Sequence, residues 1–221
     1  MKRKRIFMSL AGVLITAISV GAFKFASLGV DPFQSFMSGI DTLIPIGFGT
    51  LYVIVNSVLL LFALAFDRHY IGIATFINLF LLGYVVDFSQ SLLEMLFPVP
   101  TVFLRVAAFA FGFVFLCFGS SLYMTADMGV STYDAIALII TNKWNLGRFR
   151  VIRVATDFMC IALGICMFLL AGKSENSMSS LIGIGTILTA FCMGPLIDYY
   201  NRTISMPLLS RNSDKTFGKS A

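Results

Sequence analysis

The most constraining feature of the sequence is a series of six apolar segments, each close to the length of a membrane crossing. An α-helix needs about 20 apolar residues to span the hydrocarbon core of a bilayer. With 58% hydrophobic residues, 12% charged residues and a mean hydropathy of +0.90, the chain is not an ordinary soluble domain. We therefore predict an all-α membrane protein with six transmembrane helices. They cover about residues 6–28, 48–66, 70–88, 102–124, 150–171 and 180–200.

Two shorter apolar stretches begin with related phrases in which Gly-Val is followed by a residue that can cap a helix. The cap is Asp31 in the first phrase and Ser131 in the second, and Gln34 or Asp134 follows three residues later. This is the spacing of a capping box, and Pro32 stands at the first helical position of the first copy. We predict short capped half-helices, about half the length that a crossing needs. Their predicted ranges are 31–44 and 131–142.

The spacing of matching residues indicates an internal repeat. Gly29 and Gly129 are 100 residues apart, as are Gly47 and Gly147. Four further residues recur 111 positions later, namely Gly72, Thr75, Gly83 and Asp87 as Gly183, Thr186, Gly194 and Asp198. An insertion in the loop at residues 172–178 explains the change of spacing. Each repeat then contains a long helix, a half-helix and two further long helices, with Asp87 and Asp198 closing the last helix of each.

This repeat divides the chain into three parts. Residues 1–97 form the first repeat and residues 98–200 the second. Residues 201–221 are polar and basic, and we predict a disordered cytoplasmic tail there.

The distribution of basic residues predicts the orientation. With six crossings and an internal amino terminus, all but Lys24, Arg105 and Lys173 of the 16 lysines and arginines fall on the cytoplasmic side. Both termini are therefore expected inside the cell. The positive net charge of +5 is explained by this topology and not by a nucleic-acid partner. Three crossings per repeat is an odd number, so the two repeats are predicted to be inverted relative to each other.

In an inverted repeat the half-helices enter from opposite sides of the membrane, so their amino termini can meet near its middle. Their exposed N–H groups and positive dipole ends would then form a site for a solute. The alternative is that both are interfacial helices, which would give no site. The sequence leaves these two arrangements open.

Polar residues at membrane depth are the candidates for ligand binding. Asp157 lies well inside the fifth segment, four residues after Arg153, so the two can pair on one helix face, and Asn56 is its approximate counterpart in the first repeat. A purely structural ion pair is the alternative for Arg153 and Asp157. The full candidate set is Asp31, Gln34, Asn56, Ser131, Tyr133, Asp134, Arg153 and Asp157. The sequence contains no arrangement typical of a catalytic nucleophile, a metal site or a nucleotide loop, so we expect no enzyme activity, no metal and no cofactor.

Four groups of residues resemble those of the YczE/YitT group of small bacterial membrane proteins. They are Gly29-Val30-Asp31-Pro32-Phe33, Gly129 to Ala135, Arg153 with Asp157, and Gly183 to Thr186 with Met193 to Asp198. The resemblance runs to about Tyr200, and the chain lacks the extra carboxy-terminal soluble domain of the YitT branch, so it is more similar to YczE. The resemblance implies a multi-spanning fold in the bacterial inner membrane and no established substrate.

Together these observations favour a small-solute transporter or permease that binds a solute, with an anion as one candidate, between the opposed half-helices. Asp31 and Asp134 oppose a strongly anionic solute unless their carboxylates serve as caps, so a cationic or zwitterionic solute stays open. The second hypothesis is a non-transporting accessory or assembly partner of another membrane complex. Membrane lipids are expected around the helices, and a second copy of the chain or another membrane complex is the candidate protein partner.

Overall fold

The computed structural model describes residues 2–44, 46–147, 149–172 and 183–210. Within these ranges every regular element is helical. A single 3₁₀ turn, Arg68–Tyr70, lies between α3 and α4, and a π-helical turn, Asn201–Ser205, lies between the last two helices. The helices are α1 Lys2–Ala26, α2 Pro32–Leu43, α3 Phe48–Phe66, α4 Ile73–Leu96, α5 Val102–Thr125, α6 Thr132–Asn142, α7 Phe149–Leu170, α8 Ile184–Tyr200 and α9 Met206–Ser210.

Five of these helices are long and apolar enough to cross a membrane, namely α1, α3, α4, α5 and α7. The chain is therefore a membrane protein. Helix α8 has 17 residues, fewer than the roughly 20 that a crossing needs, and residues 180–182 of the predicted sixth segment lie outside the described residues.

Two predicted boundaries are wrong. The third segment was predicted to end at residue 88 with Asp87 closing it, whereas α4 continues to Leu96 and Asp87 lies inside the helix. Its carboxylate accepts a hydrogen bond from the Gly49 amide at 2.9 Å and lies 3.9 Å from Lys24 Nζ, which explains an acid within the helix. The tail is also not disordered from residue 201 on, because the chain is helical up to Ser210. The rest of the tail, 211–221, lies outside the described residues.

The two half-helices begin where their caps were predicted. Asp31 Oδ1 accepts a hydrogen bond from the Gln34 amide at 3.3 Å, and Ser131 Oγ accepts one from the Asp134 amide at 3.1 Å. In each case the side chain satisfies one of the amides that a helix start leaves unpaired. In a capping box the side chain three residues after the cap also accepts a hydrogen bond from the backbone amide of the cap. In the second half-helix the Asp134 carboxylate accepts a hydrogen bond from the Ser131 hydroxyl instead.

Each half-helix packs against a long helix from the other half of the chain. Helix α2 lies on α7, where a Cβ on Gly39 would come within 2.9 Å of the Gly164 carbonyl oxygen. Helix α6 lies on α3, where Ala63, Ala135 and Ile139 form a small buried cluster. Small residues allow the helix backbones to approach closely, which is how helices associate inside membranes.

Helix α1 lies at the centre and packs against both α4 and α5. It approaches α5 closely at Gly12, where a Cβ would lie 2.7 Å from the Gly119 carbonyl oxygen. The buried core beside this crossing is rich in aromatic rings, with Phe23, Phe33 and Tyr52 among its members. Helix α1 thus joins α4 of its own half of the chain to α5 of the other half.

The loop that precedes each half-helix is fixed to the other half of the chain. Before α2, the Gly185 amide donates to the Leu28 carbonyl at 3.0 Å and the Val30 amide donates to Thr186 Oγ1 at 3.2 Å. Gly29 between them has a φ of +110°, and a Cβ there would lie 2.9 Å from the Gly183 nitrogen. Glycine is therefore required at this position for both conformation and space.

The loop before α6 has the matching arrangement. The Ala74 amide donates to the Met128 carbonyl at 3.0 Å, and Thr75 Oγ1 donates to the Val130 carbonyl at 2.7 Å. Gly129 has a φ of +102°. The glycines and threonines of the predicted repeat are thus the residues that fix both half-helix starts.

Candidate functional site

The first turns of the two half-helices meet at one small cavity of about 60 Å³. Phe33 of α2 and Tyr133 of α6 stack there, with ring centroids 4.8 Å apart and an interplanar angle of 20°. Six of the eight predicted site residues line this cavity, namely Arg153 and five residues of the two half-helix starts. These five are Asp31, Gln34, Ser131, Tyr133 and Asp134. The tertiary structure thus brings together two phrases that lie 100 residues apart in sequence.

Beside this cavity a buried charge cluster joins α6 to α7. Arg153 Nη1 forms an ion pair with Asp134 Oδ1, and Arg153 Nε lies 3.5 Å from Asp157 Oδ1. The side chains of the two acids are only 4% and 10% exposed, and that of the arginine is 21% exposed. The predicted pairing of Arg153 with Asp157 is present, but the arginine is shared between two carboxylates. Ion pairs at this depth require such mutual neutralisation.

Hydroxyl groups also donate hydrogen bonds to the two acids. Asp134 Oδ2 accepts hydrogen bonds from Tyr123 at 2.7 Å and from Ser131 at 2.6 Å. Asp157 Oδ1 accepts one from the Tyr133 hydroxyl at 2.6 Å. Both carboxylates are therefore held in fixed orientations by charge-assisted hydrogen bonds.

The Tyr133 ring also contacts the arginine directly. The guanidinium carbon of Arg153 lies 4.3 Å from the ring centroid, within the range of a cation–π contact. The same ring stacks on Phe33, which belongs to the half-helix in the first half of the chain. Tyr133 thus connects the charge cluster to the other half-helix.

A polar chain in the first half of the molecule supports α6 from behind. Thr132 Oγ1 donates to Asn56 Oδ1, and Asn56 Nδ2 donates to the Tyr52 carbonyl at 2.8 Å. The Tyr52 hydroxyl in turn donates to Asn78 Oδ1 at 2.9 Å. Asn56 is 1% exposed and is not among the described residues that line either cavity. Its position is that of a support for the half-helix rather than a ligand contact.

A larger cavity of about 460 Å³ adjoins the small one. It lies between α5, α6, α7 and α8 and reaches the π-helical turn at Asn201. Tyr123, Asp134, Arg153 and Met193 line both cavities, so the arginine–aspartate pair stands at the boundary between them. Asp157 lines only the larger cavity. A volume of this size is in the range of small-molecule pockets.

Sequence reasoning missed the closest partner of Arg153 and the role of Tyr52. Arg153 and Asp134 are 19 residues apart on different helices, so no helical spacing links them. One signal was present, because an acid at the third position of a half-helix requires a basic partner if it is buried. Tyr52 precedes Asn56 by the same four residues that separate Arg153 from Asp157, which marks it as the counterpart of the arginine.

The described residues contain no group of three histidine, cysteine, aspartate or glutamate side chains placed to hold a metal ion. The donors and acceptors of the site are instead hydroxyls, carboxylates, side-chain amides and one guanidinium. Such a set can orient a small polar solute through hydrogen bonds and charge.

Sequence comparison adds the family. Residues 3–202 match the group described as "Family of unknown function (DUF6198)". The chain belongs to this family. As a DUF6198 protein it is similar to the "Uncharacterized membrane protein YczE" of Bacillus subtilis (strain 168), with 26% identity over 192 residues that cover 86% of this chain and 81% of YczE. This similarity confirms the predicted resemblance to YczE.

Two further proteins are similar to this DUF6198 chain. An "Uncharacterized protein" of Haemophilus influenzae is 24% identical over 204 residues, covering 91% of this chain and 85% of that protein. The "Uncharacterized protein YyaS" of Bacillus subtilis is 22% identical over 201 residues, covering 91% of this chain and 94% of YyaS. No solved structure matches the chain.

Proposed function

We propose that this DUF6198 protein is a small-solute transporter or permease of the bacterial inner membrane, with six crossings in two inverted repeats and both termini in the cytoplasm. The observation that carries the proposal is the meeting of two capped half-helix starts at one cavity, with a buried Arg153–Asp134 pair between that cavity and a larger one. Discontinuous helices whose starts face a central site are the arrangement that secondary transporters use.

The inverted repeat is supported by the exchange of contacts between the halves. Helix α2 packs on α7 as α6 packs on α3, and each half-helix loop bonds to the last long helix of the other half. A two-fold relation produces such reciprocal contacts.

A sixth crossing is supported by the length of the helical path beyond α8. Helix α8, the π-helical turn Asn201–Ser205 and α9 follow one another without a break from Ile184 to Ser210. At about 1.5 Å of rise per residue, this path is longer than the roughly 30 Å hydrocarbon core. A crossing here puts the basic end of the chain in the cytoplasm, in agreement with the distribution of lysine and arginine.

The burial of the half-helices favours a re-entrant over an interfacial position. Their first turns are buried, with Gln34 4% and Asp134 3% exposed. Exposure increases toward their far ends, with Leu43 41% exposed at the last residue of α2 and Trp144 41% exposed two residues beyond α6. A re-entrant helix has this gradient along its axis, whereas an interfacial helix is exposed along one side for its whole length.

The proposed mechanism is a rocking of one half against the other around the fixed site. This motion would shift the α1–α5 contact as well as the α2–α7 and α6–α3 contacts between the halves. Small residues, namely Gly39, Gly164 and Ala63, bring the helices close together at the last two contacts. The solute would occupy the larger cavity and contact Arg153, Asp134 and Asp157 at its inner end.

A binding screen followed by an uptake assay tests this proposal. Purified protein in detergent is heated with a panel of amino acids, amines, dicarboxylates and sugars, and a binder is recognised by a rise in melting temperature. Each binder is then offered in labelled form to proteoliposomes. We expect saturable uptake that Asp157→Asn reduces and that the exposed-site control Asp127→Asn leaves intact, since the Asp127 side chain is 81% exposed.

The opposite outcome has an equally specific form. If no panel compound stabilises the protein, and a deletion strain is complemented by Asp157→Asn and by Gln34→Ala, the transporter proposal is wrong. A non-transporting membrane partner, as a subunit of another complex or as a dimer, would then be the better explanation.

A further inference from the structure

The small cavity contains a buried acceptor that the protein itself does not use. Gln34 is 4% exposed and lines this cavity, and within the described part of the chain its Oε1 has no hydrogen-bond partner. By contrast, both oxygens of Asp134 across the cavity are occupied. A buried amide oxygen without a donor is costly, and the exceptions often mark a site for a bound group.

A carboxylate without a basic partner stands beside that acceptor. Asp31 Oδ1 caps α2 through the Gln34 amide, and Asp31 forms no ion pair within the described ranges. Asp31 lines the same small cavity. The corresponding cap of α6 is the neutral Ser131, so only the first of the two half-helices has a charged cap residue. Capping alone does not require it, because serine and asparagine cap helices as well as aspartate does.

The positive charge nearest to the site is already committed. Arg153 lines the cavity, but its guanidinium is shared between Asp134 and Asp157. The three carboxylates around this region therefore exceed the one guanidinium. The imbalance favours a cation in the space between Asp31 and Gln34.

The size and chemistry of the cavity restrict that cation. A volume of about 60 Å³ has room for a few water molecules, a compact ion or a small head group. The oxygen groups left for a ligand include the Asp31 carboxylate, the Gln34 amide and the Thr16 hydroxyl, which together carry one charge, fewer than a calcium site uses. The stacked rings of Phe33 and Tyr133 complete the wall.

We propose that the small cavity binds a compact monovalent cation between Asp31 and Gln34, either a free alkali ion or the ammonium end of an amine solute. The second source deepens the proposed transport function and rests on it, because the rest of the amine would then extend into the larger cavity past Arg153. The first source would make the cavity a site for a coupling ion.

The test is the melting temperature of the purified full chain in detergent, titrated with sodium chloride or methylammonium chloride. Choline chloride keeps the total salt constant, because the choline cation is much bulkier than sodium or methylammonium and has no N–H group to donate. We expect a saturable rise with at least one of the two small cations. A rise with sodium alone identifies an alkali-ion site, and a rise with methylammonium alone identifies an ammonium subsite. If neither sodium nor methylammonium raises the melting temperature above its value in choline chloride alone, the proposal is wrong.

Two variants connect the effect to the cavity. Asp31→Asn keeps a good helix cap but removes the charge, so the half-saturating cation concentration should rise about tenfold or more. Gln34→Leu leaves the Asp31 cap in place and should raise it less. Gln90→Leu is the matched control, because Gln90 donates to Glu94 and is not among the described residues lining the cavity. Unchanged half-saturation in both cavity variants would refute the site.

This readout is separate from transport. Cation-dependent stability without uptake in proteoliposomes would leave the cation site intact and refute the transporter. Uptake without cation-dependent stability would refute the cation site and leave the transporter proposal intact.

Discussion

Neutralising Asp134 is the sharpest test of the buried charge cluster. The variant Asp134→Asn keeps a side chain of the same shape, which can still accept hydrogen bonds from Tyr123 and Ser131. It removes the main counter-charge of Arg153, whose side chain is only 21% exposed. Breaking a buried ion pair by removing one partner costs about 3–5 kcal/mol. Because Arg153 retains Asp157 at 3.5 Å, we expect the lower end, about 3 kcal/mol.

This decrease in the free energy of unfolding is large enough to be measured as a lower melting temperature in detergent. At about 2–4 °C per kcal/mol for a chain of this size, the expected decrease is about 6–12 °C. The control is Asp127→Asn, which removes an ion pair with Arg5 at the exposed end of α1 and should change little. A melting temperature of Asp134→Asn equal to that of the wild type, or an equal decrease in the control, would refute the view that a buried pair holds α6 to α7.

The other predictions concern the half-helix loops, the phenol network and the topology. Gly29→Ala should be less stable than Gly47→Ala by about 1–3 kcal/mol in detergent denaturation, because both positions have positive φ but only the first is crowded by backbone. Tyr133→Phe removes the hydroxyl that donates to a buried carboxylate and should cost about 1.5–3 kcal/mol, while the same change at an exposed tyrosine should cost almost nothing. In a cysteine-free background, Ile44→Cys should react with an impermeant maleimide on intact cells and Leu146→Cys only after permeabilisation; reaction on the same side would contradict the inverted repeat.

The caps and long helices could be read from the chain because their causes are local. Asp31, Pro32 and Ser131 determine where the half-helices begin, and the structure has the caps at those residues. The position of Asp87 inside a helix could not be predicted in this way. It looked like the end of a helix, but contacts with Lys24 and with the Gly49 amide allow α4 to continue past it.

The sequence indicated which residues to consider for the candidate site better than it indicated which of them contact each other. Gln34 and Tyr133 were candidates because they belong to the half-helix starts, and Asp157 because it is a polar residue at membrane depth; all three line the cavities. Asn56 was recognised for the same reason, but it lies behind α6 and supports Thr132. Polarity at depth indicates that a residue has a partner, and it does not distinguish a ligand from another side chain.

By itself, the sequence determined that this chain is a helical membrane protein with two capped short helices, because hydrophobic length and capping act between residues that are close along the chain. Only the tertiary structure decided that Arg153 pairs with Asp134, that α2 lies on α7, and that Gln34 is left with an unused oxygen. These features depend on which helix surfaces meet. Inside a membrane that choice follows from the fit of small residues and the satisfaction of buried charges across the whole fold, and no stretch of sequence contains it.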